Sequence, residues 1–287
     1  MASTSLTGIL RRITGTQHPL LHQYTLIDIS SYSYVDTAAE NGYTTFSYDR
    51  LGIGLSEHPD PIQVVQSELE VGIAHSLTQS LRAGDFSSTK FAHVVGVGHS
   101  FGSIINVGQT AQFPKDLDAV VLTGFGTSTS AVSSFMAGLN AAIARENQPS
   151  RFPNLNNGYI ISDTQISNQF DFFRLPNYPS ANLVLAEATK QTLTFGELFT
   201  LGQVAMPATA FTGPIDVVDG ENDWPFCQGN CNLPTDQAAA VKAILYPAAS
   251  AGSQSYIAKG AGHALNFHYS ATAAFQQIQS FVEMNGL

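Results

Sequence analysis

The chain has 287 residues, 44% of them hydrophobic and only 12% charged, a balance that supports a packed core and argues against disorder. Its net charge of −10 is spread along the chain with no Lys/Arg cluster, so a nucleic-acid partner is excluded on electrostatic grounds. The length suits one large α/β domain carrying an insertion, and no apolar run reaches the roughly 18–20 residues of a membrane span.

Residues Met1 to Gln17 carry Arg11 and Arg12 without an apolar stretch behind them, which is not the pattern of a signal peptide; as written, the chain reads as cytoplasmic. Tyr24–Ile29 reads as a short buried strand, and Tyr43–Tyr48 as a second, rich in β-branched and aromatic residues. From Pro61, the residues Ile62, Val65, Leu69, Ile73, Leu77 and Leu81 recur every three or four positions, predicting an amphipathic helix that ends at Gly84. Phe91–Val97 is a near-continuous apolar run, as expected of a strand buried on both faces. A helix over Ile104–Ala111 and a strand over Ala119–Thr123 follow. Strands at Pro214–Asp219 and Ser255–Ala258, and helices at Asp236–Leu245 and Ala271–Met284, complete the alternation. Strands alternating with helices predict a mostly parallel sheet covered on both faces.

Residues 125–211 break this rhythm. The segment is rich in Phe, Tyr, Leu and Met and reads as a helical lid inserted over the carboxyl ends of the strands, leaving residues 1–124 and 212–287 as the α/β core.

Gly98-His99-Ser100-Phe101-Gly102 sits between a buried strand and a helix, the setting of a nucleophile elbow. A sharp turn there exposes the Ser100 hydroxyl, and the N–H of Phe101 becomes a donor for a developing oxyanion. Serine needs a base, and on an elbow the acid and the histidine follow it in that order. His263, in the Gly-rich loop after the last strand, fits the base. His268, at the start of the last helix, reads as structural, and the other histidines precede or flank Ser100. Val217–Pro225 offers Asp219, Glu221 and Asp223. Asp219 ends the strand, whereas Asp223 lies past Gly220 and is best placed to orient His263.

Cys227 and Cys231 stand four apart in a Pro/Gly/Asn-rich loop. A local disulfide is the preferred reading, and metal binding the weaker one, because no second pair has zinc-like spacing. A disulfide points to an oxidising compartment and the N-terminus to the cytoplasm, so the compartment stays open between them.

These motifs, with Tyr48-Asp-Arg-Leu-Gly-Ile-Gly-Leu-Ser56, Gly220-Glu-Asn-Asp-Trp-Pro-Phe-Cys227 and Gly262-His263, resemble the α/β-hydrolase superfamily of serine esterases, lipases and lactonases, and a fungal group within it. The resemblance runs from about Tyr32 to the C-terminus. It implies the α/β-hydrolase fold, a Ser100–Asp223–His263 triad, hydrolysis of an apolar carboxylic ester or lactone, and no cofactor. Asp49, Arg50 and Gly52 match a loop that is mainly structural in that family. One departure stands out: the superfamily's His-Gly after the strand before the first helix is missing here. A second oxyanion donor is therefore expected from Ser30–Tyr32, with Ser31 at its centre. Fold does not fix chemistry, so a triad used for lyase, transferase or cyclisation chemistry stays in view, and the missing motif adds a binding protein with little or no catalysis.

Overall fold

The computed structural model describes residues 7–10, 30–87 and 89–287; the strand expected at Tyr24–Ile29 lies outside the described residues. In chain order the first elements are β1 (Thr7–Leu10), α1 (Tyr34–Glu40), β2 (Thr44–Phe46), α2 (Ser67–Ala83), β3 (Val94–His99), α3 (Phe101–Gln112) and β4 (Ala119–Thr123). The last are β8 (Ile215–Gly220), α9 (Trp224–Cys227), α10 (Gln237–Leu245), β9 (Gln254–Ala258) and α11 (Ala271–Met284). Between them stand α4 (Val132–Leu139), β5 (Ala142–Ile143), α5 (Ala144–Asn147), β6 (Tyr159–Ile161), α6 (Gln165–Phe172), α7 (Ser180–Thr189), β7 (Leu193–Thr194) and α8 (Phe195–Val204).

The main sheet has the order β2-β1-β3-β4-β8-β9. It is parallel from β3 to β9, while β1 runs antiparallel to both of its neighbours. Alternate residues of β4 feed opposite cores, as a two-residue side-chain period requires. Val120 and Leu122 join Val71, Ile104, Ile105 and Val241 under α2, α3 and α10. Ala119 and Val121 join Ala274, Ile278 and Phe281 under α11. Each such fully buried aliphatic side chain stabilises the fold by about 1.5–3 kcal/mol.

The helix expected from Pro61 starts at Ser67. The Asp60 carboxylate accepts the N–H groups of Ile62 and Gln63, both at 2.8 Å, so residues 60–65 close into a turn and the extended Gln66 restarts the chain as a helix. The buried face shifts accordingly to Glu70, Val71, Ala74, Thr78 and Leu81, and Ile62 and Leu69 are exposed. The helix does end at Gly84, in the left-handed conformation.

Residues 125–211 are not purely helical. Strands β5, β6 and β7 form a second, three-stranded antiparallel sheet. Two or three residues each, they are too short for a sequence period to show. Helices α4, α6 and α7 enclose a small core of Leu139, Phe172, Phe173, Tyr178 and Leu183 that reaches Ala264. The end of the segment belongs with the main body. Helix α8 packs on α2 and α3, and Val204, Ala208 and Phe211 enter the larger core. A capping box between Thr194 and Glu197 starts that helix.

Candidate active site

The turn from β3 into α3 places Ser100 at φ 54° and ψ −116°, a conformation costly for a residue with a Cβ and typical of functional turns. Gly98 makes it possible: a Cβ there would lie 2.5 Å from the Gly102 carbonyl. Gly220 does the same on β8, where a Cβ would lie 2.2 Å from the Gly262 oxygen, so the ends of β8 and of the histidine loop can touch.

These turns converge. Ser100 Oγ lies 2.8 Å from His263 Nε2, and His263 Nδ1 lies 2.6 Å from Asp223 Oδ2. His263 and Asp223 are buried. The geometry fixes the tautomer: Nδ1–H donates to Asp223, leaving the Nε2 lone pair to accept from the serine hydroxyl. The other Asp223 oxygen accepts the Phe226 N–H at 2.9 Å, which locks the carboxylate.

The three candidate acids have separate partners. Asp219 accepts the Phe125 N–H at 2.7 Å, and burial first, then the charge of Asp223, pushes its carboxyl well above the usual range. Glu221 accepts the Gly260 N–H at 2.8 Å and ties down the histidine loop. Cys227 and Cys231 form a disulfide. Their sulfurs lie near Asp219, but paired sulfurs offer no thiolate to a metal.

His268 turns out to organise the loop that carries His263. Its Nε2 accepts the N–H groups of both Gly262 and Arg174 at 3.0 Å, and its Nδ1–H donates to the Ala264 carbonyl at 2.8 Å. Burial holds its pKa down at about 4, so the ring is neutral. Nothing in the local sequence announces this, because the bonds run to backbone groups 6 and 94 residues away.

Ser100 opens on a cavity of about 100 Å³ walled by Phe101, Phe135, Leu139, Ile160, Phe172 and Leu193, with Arg50 at its edge. Four of these six come from residues 125–172. Arg50 is buried, ion-paired with Glu197 and 3.7 Å from Glu70, and its guanidinium lies 4.5 Å from the centre of the Phe101 ring. It thus braces the residue that follows Ser100. Burial raises the Glu70 carboxyl to about 7, and Arg50 opposes the rise.

The two expected oxyanion donors part company. Phe101 stands in the first turn of α3, where the helix itself offers its N–H no acceptor, and it lines the cavity. Ser31 does not. It is exposed in a single 3₁₀ turn, Ser30–Tyr32, docked on α11, with its carbonyl accepting the Thr272 hydroxyl at 3.0 Å. Ser31, expected as the second donor, is not among the residues lining this cavity.

A mostly parallel sheet, an elbow after its central strand and an acid and histidine on later loops together define an α/β hydrolase fold. The family model of the alpha/beta hydrolase family matches residues 24–275, and the chain belongs to that family. Solved structures share the fold at low identity. A methylesterase from Arabidopsis is 13% identical, with 88% of this chain and 93% of that one covered and a TM-score of 0.59. Tomato methylketone synthase I, complexed with 2-tridecanone, is 14% identical, covering 89% and 93%, at 0.60. A malate-bound thermophilic esterase from Thermogutta terrifontis is 13% identical, covering 92% and 88%, at 0.60. No curated protein sequence matches. Among the described residues, no helix is long and apolar enough to cross a membrane.

Proposed function

We propose that this protein is a serine hydrolase acting on small apolar carboxylic esters or lactones, with Ser100 as nucleophile, His263 as base and Asp223 as orienting acid. The observation that carries this reading is the unbroken chain of hydrogen bonds from Ser100 Oγ through His263 to Asp223. In the first half-reaction Ser100 Oγ attacks the carbonyl carbon while His263 Nε2 takes its proton. The tetrahedral oxyanion forms beside the Phe101 N–H, and the positive end of α3 favours it. His263 then gives the proton to the departing alcohol, leaving an acyl-enzyme. Water repeats the sequence, releasing the acid. Buried Asp223 holds the imidazole in register and stabilises the imidazolium.

The same reading assigns residues 125–211 a lid function up to the start of α8. Its apolar side chains supply most of the cavity wall and exclude water from the acyl group. A cavity of about 100 Å³ favours short acyl chains. Hydrolysis of p-nitrophenyl esters from acetate to decanoate tests this. Turnover should be highest at two to four carbons and fall beyond six; absence of turnover on every chain length contradicts the proposal.

A further inference from the structure

His263 is packed against other rings. Phe172, the last residue of α6, lies 5.6 Å from it between ring centres, with the planes inclined at 34°. Phe226 of α9 lies at 5.8 Å and 38°. His99 lies at 5.0 Å. Burial, reinforced by the neighbouring His263, holds the His99 pKa down at about 3, so that ring is neutral and brings no positive charge to the group.

Phe226 belongs to the turn that holds Asp223, but Phe172 comes from the separate segment 125–211. It is bound to the histidine loop by more than its ring. Its carbonyl accepts the Ala264 N–H, one residue past His263, at 2.8 Å. One residue before His263 the backbones pass so close that a Cβ on Gly262 would lie 2.9 Å from the Phe172 oxygen. The ring itself is buried, meets Phe135 edge-on at 5.8 Å and packs with Leu139 and Ala264. Phe172 is therefore held on both sides of the base while its ring lies against the base.

When His263 takes the proton of Ser100 it becomes an imidazolium. The π face of an aromatic ring attracts a cation within about 6 Å of its centre, and more strongly where water is excluded. An inclination of 34° is well short of the edge-on contact that would point the positive rim of the phenyl ring at the imidazole. Neutral imidazole gains little from such a contact, so the attraction grows on the way to the transition state and acts on kcat rather than on binding.

We infer that Phe172 is a positioning residue for the base: its ring stabilises the imidazolium that His263 becomes, so the segment that walls the cavity also sets the rate of turnover. This rests on the serine-hydrolase reading above. Both half-reactions pass through an imidazolium, so both feel the ring. One desolvated ring of this kind is worth roughly three- to thirtyfold in kcat.

The test measures kcat and KM for p-nitrophenyl butanoate in wild type, in Phe172→Leu, and in proteins carrying mono-, di- or pentafluorophenylalanine in place of Phe172. Successive fluorines keep the ring but drain and finally reverse the negative charge on its face. The logarithm of kcat should fall step by step along the fluorine series, reaching a loss of roughly three- to thirtyfold, with KM changed less. Phe172→Leu should show a loss of similar size, and the fluorinated proteins decide the matter if that variant fails to fold. A kcat that does not follow the fluorine series, or an effect confined to KM, overturns the role of Phe172 whatever the leucine variant does. Fluorophosphonate labelling of wild type runs in parallel. With a labelled, active wild type those results overturn the positioning role alone; a wild type neither labelled nor active overturns the hydrolase reading and this inference with it.

Discussion

Replacing His268 by alanine should be among the most damaging substitutions outside the Ser100–His263–Asp223 chain. The change removes an acceptor shared by the Gly262 and Arg174 N–H groups and a donor to the Ala264 carbonyl, all in a buried setting between the Phe173 and Tyr178 rings. Each buried N–H left without a partner costs about 1–3 kcal/mol, and the lost ring leaves a cavity besides, so the total is about 3–6 kcal/mol. That is a large share of the 5–15 kcal/mol typical of a domain. Urea unfolding followed by the fluorescence of the single tryptophan, Trp224, measures it. The pH dependence gives an independent check. The ring titrates at about 4 in the folded state against 6.5 ordinarily, chiefly because burial disfavours its charge. A depressed folded pKa means that the unfolded state binds the proton first. The stability tied to the neutral ring is therefore complete above pH 6.5 and drains away as pH falls toward 4, by roughly 3 kcal/mol over that window. The His268→Gln variant should recover part of the loss at pH 7 and flatten the slope between pH 6.5 and 4. A loss below about 1 kcal/mol in the alanine variant, with an unchanged pH slope, would refute this account of the histidine loop.

Three further outcomes follow from the same structure. Asp223→Asn should preserve the fold and lower kcat by about four orders of magnitude, since the amide no longer holds the His263 tautomer; ester turnover against circular dichroism checks both halves. Asp171 is buried in α6 with no hydrogen-bond partner for either oxygen among the described residues, and burial raises its carboxyl to about 7. A raised folded pKa gives stability that is full at low pH and lost as pH climbs through 7, so Asp171→Asn should raise Tm by roughly 2–4 °C at pH 8 and much less at pH 5, read by differential scanning calorimetry. Opening the Cys227–Cys231 disulfide by a Cys227→Ser, Cys231→Ser double substitution should cost about 2 kcal/mol, the small figure expected for so short a loop, and denaturant midpoints with and without reductant measure it.

The parts of the site legible in the sequence were those whose signal is local. Gly98 to Gly102 after an apolar strand marks Ser100 because the turn itself demands small residues at its ends. The order of elements after it points to His263, and the place of Asp223 past Gly220 points to that acid; the structure brings both side chains into one hydrogen-bonded chain with Ser100. The long strands β3, β4 and β8 announced themselves by continuous burial. What the sequence hid depends on distant partners. Nothing near Ser31 shows that its carbonyl is held by Thr272, 241 residues away. The start of α2 turned on Asp60, whose carboxylate closes a turn where the apolar period suggested a helix. Strands β5 to β7 gain their pairing only from one another, and α8 joins the main core through contacts with α2 and α3. Arg50 matched a family loop, but only its position over Phe101 ties it to Ser100.

The most direct measurement is active-site labelling. An alkyl fluorophosphonate reacts only with a serine whose hydroxyl is activated by a base, and mass spectrometry of the digested protein locates the adduct. The account predicts one stoichiometric adduct on Ser100 in wild type, none in Ser100→Ala, and strongly slowed labelling in His263→Ala. A folded wild-type protein that stays unlabelled, or an adduct on any serine other than Ser100, would contradict it.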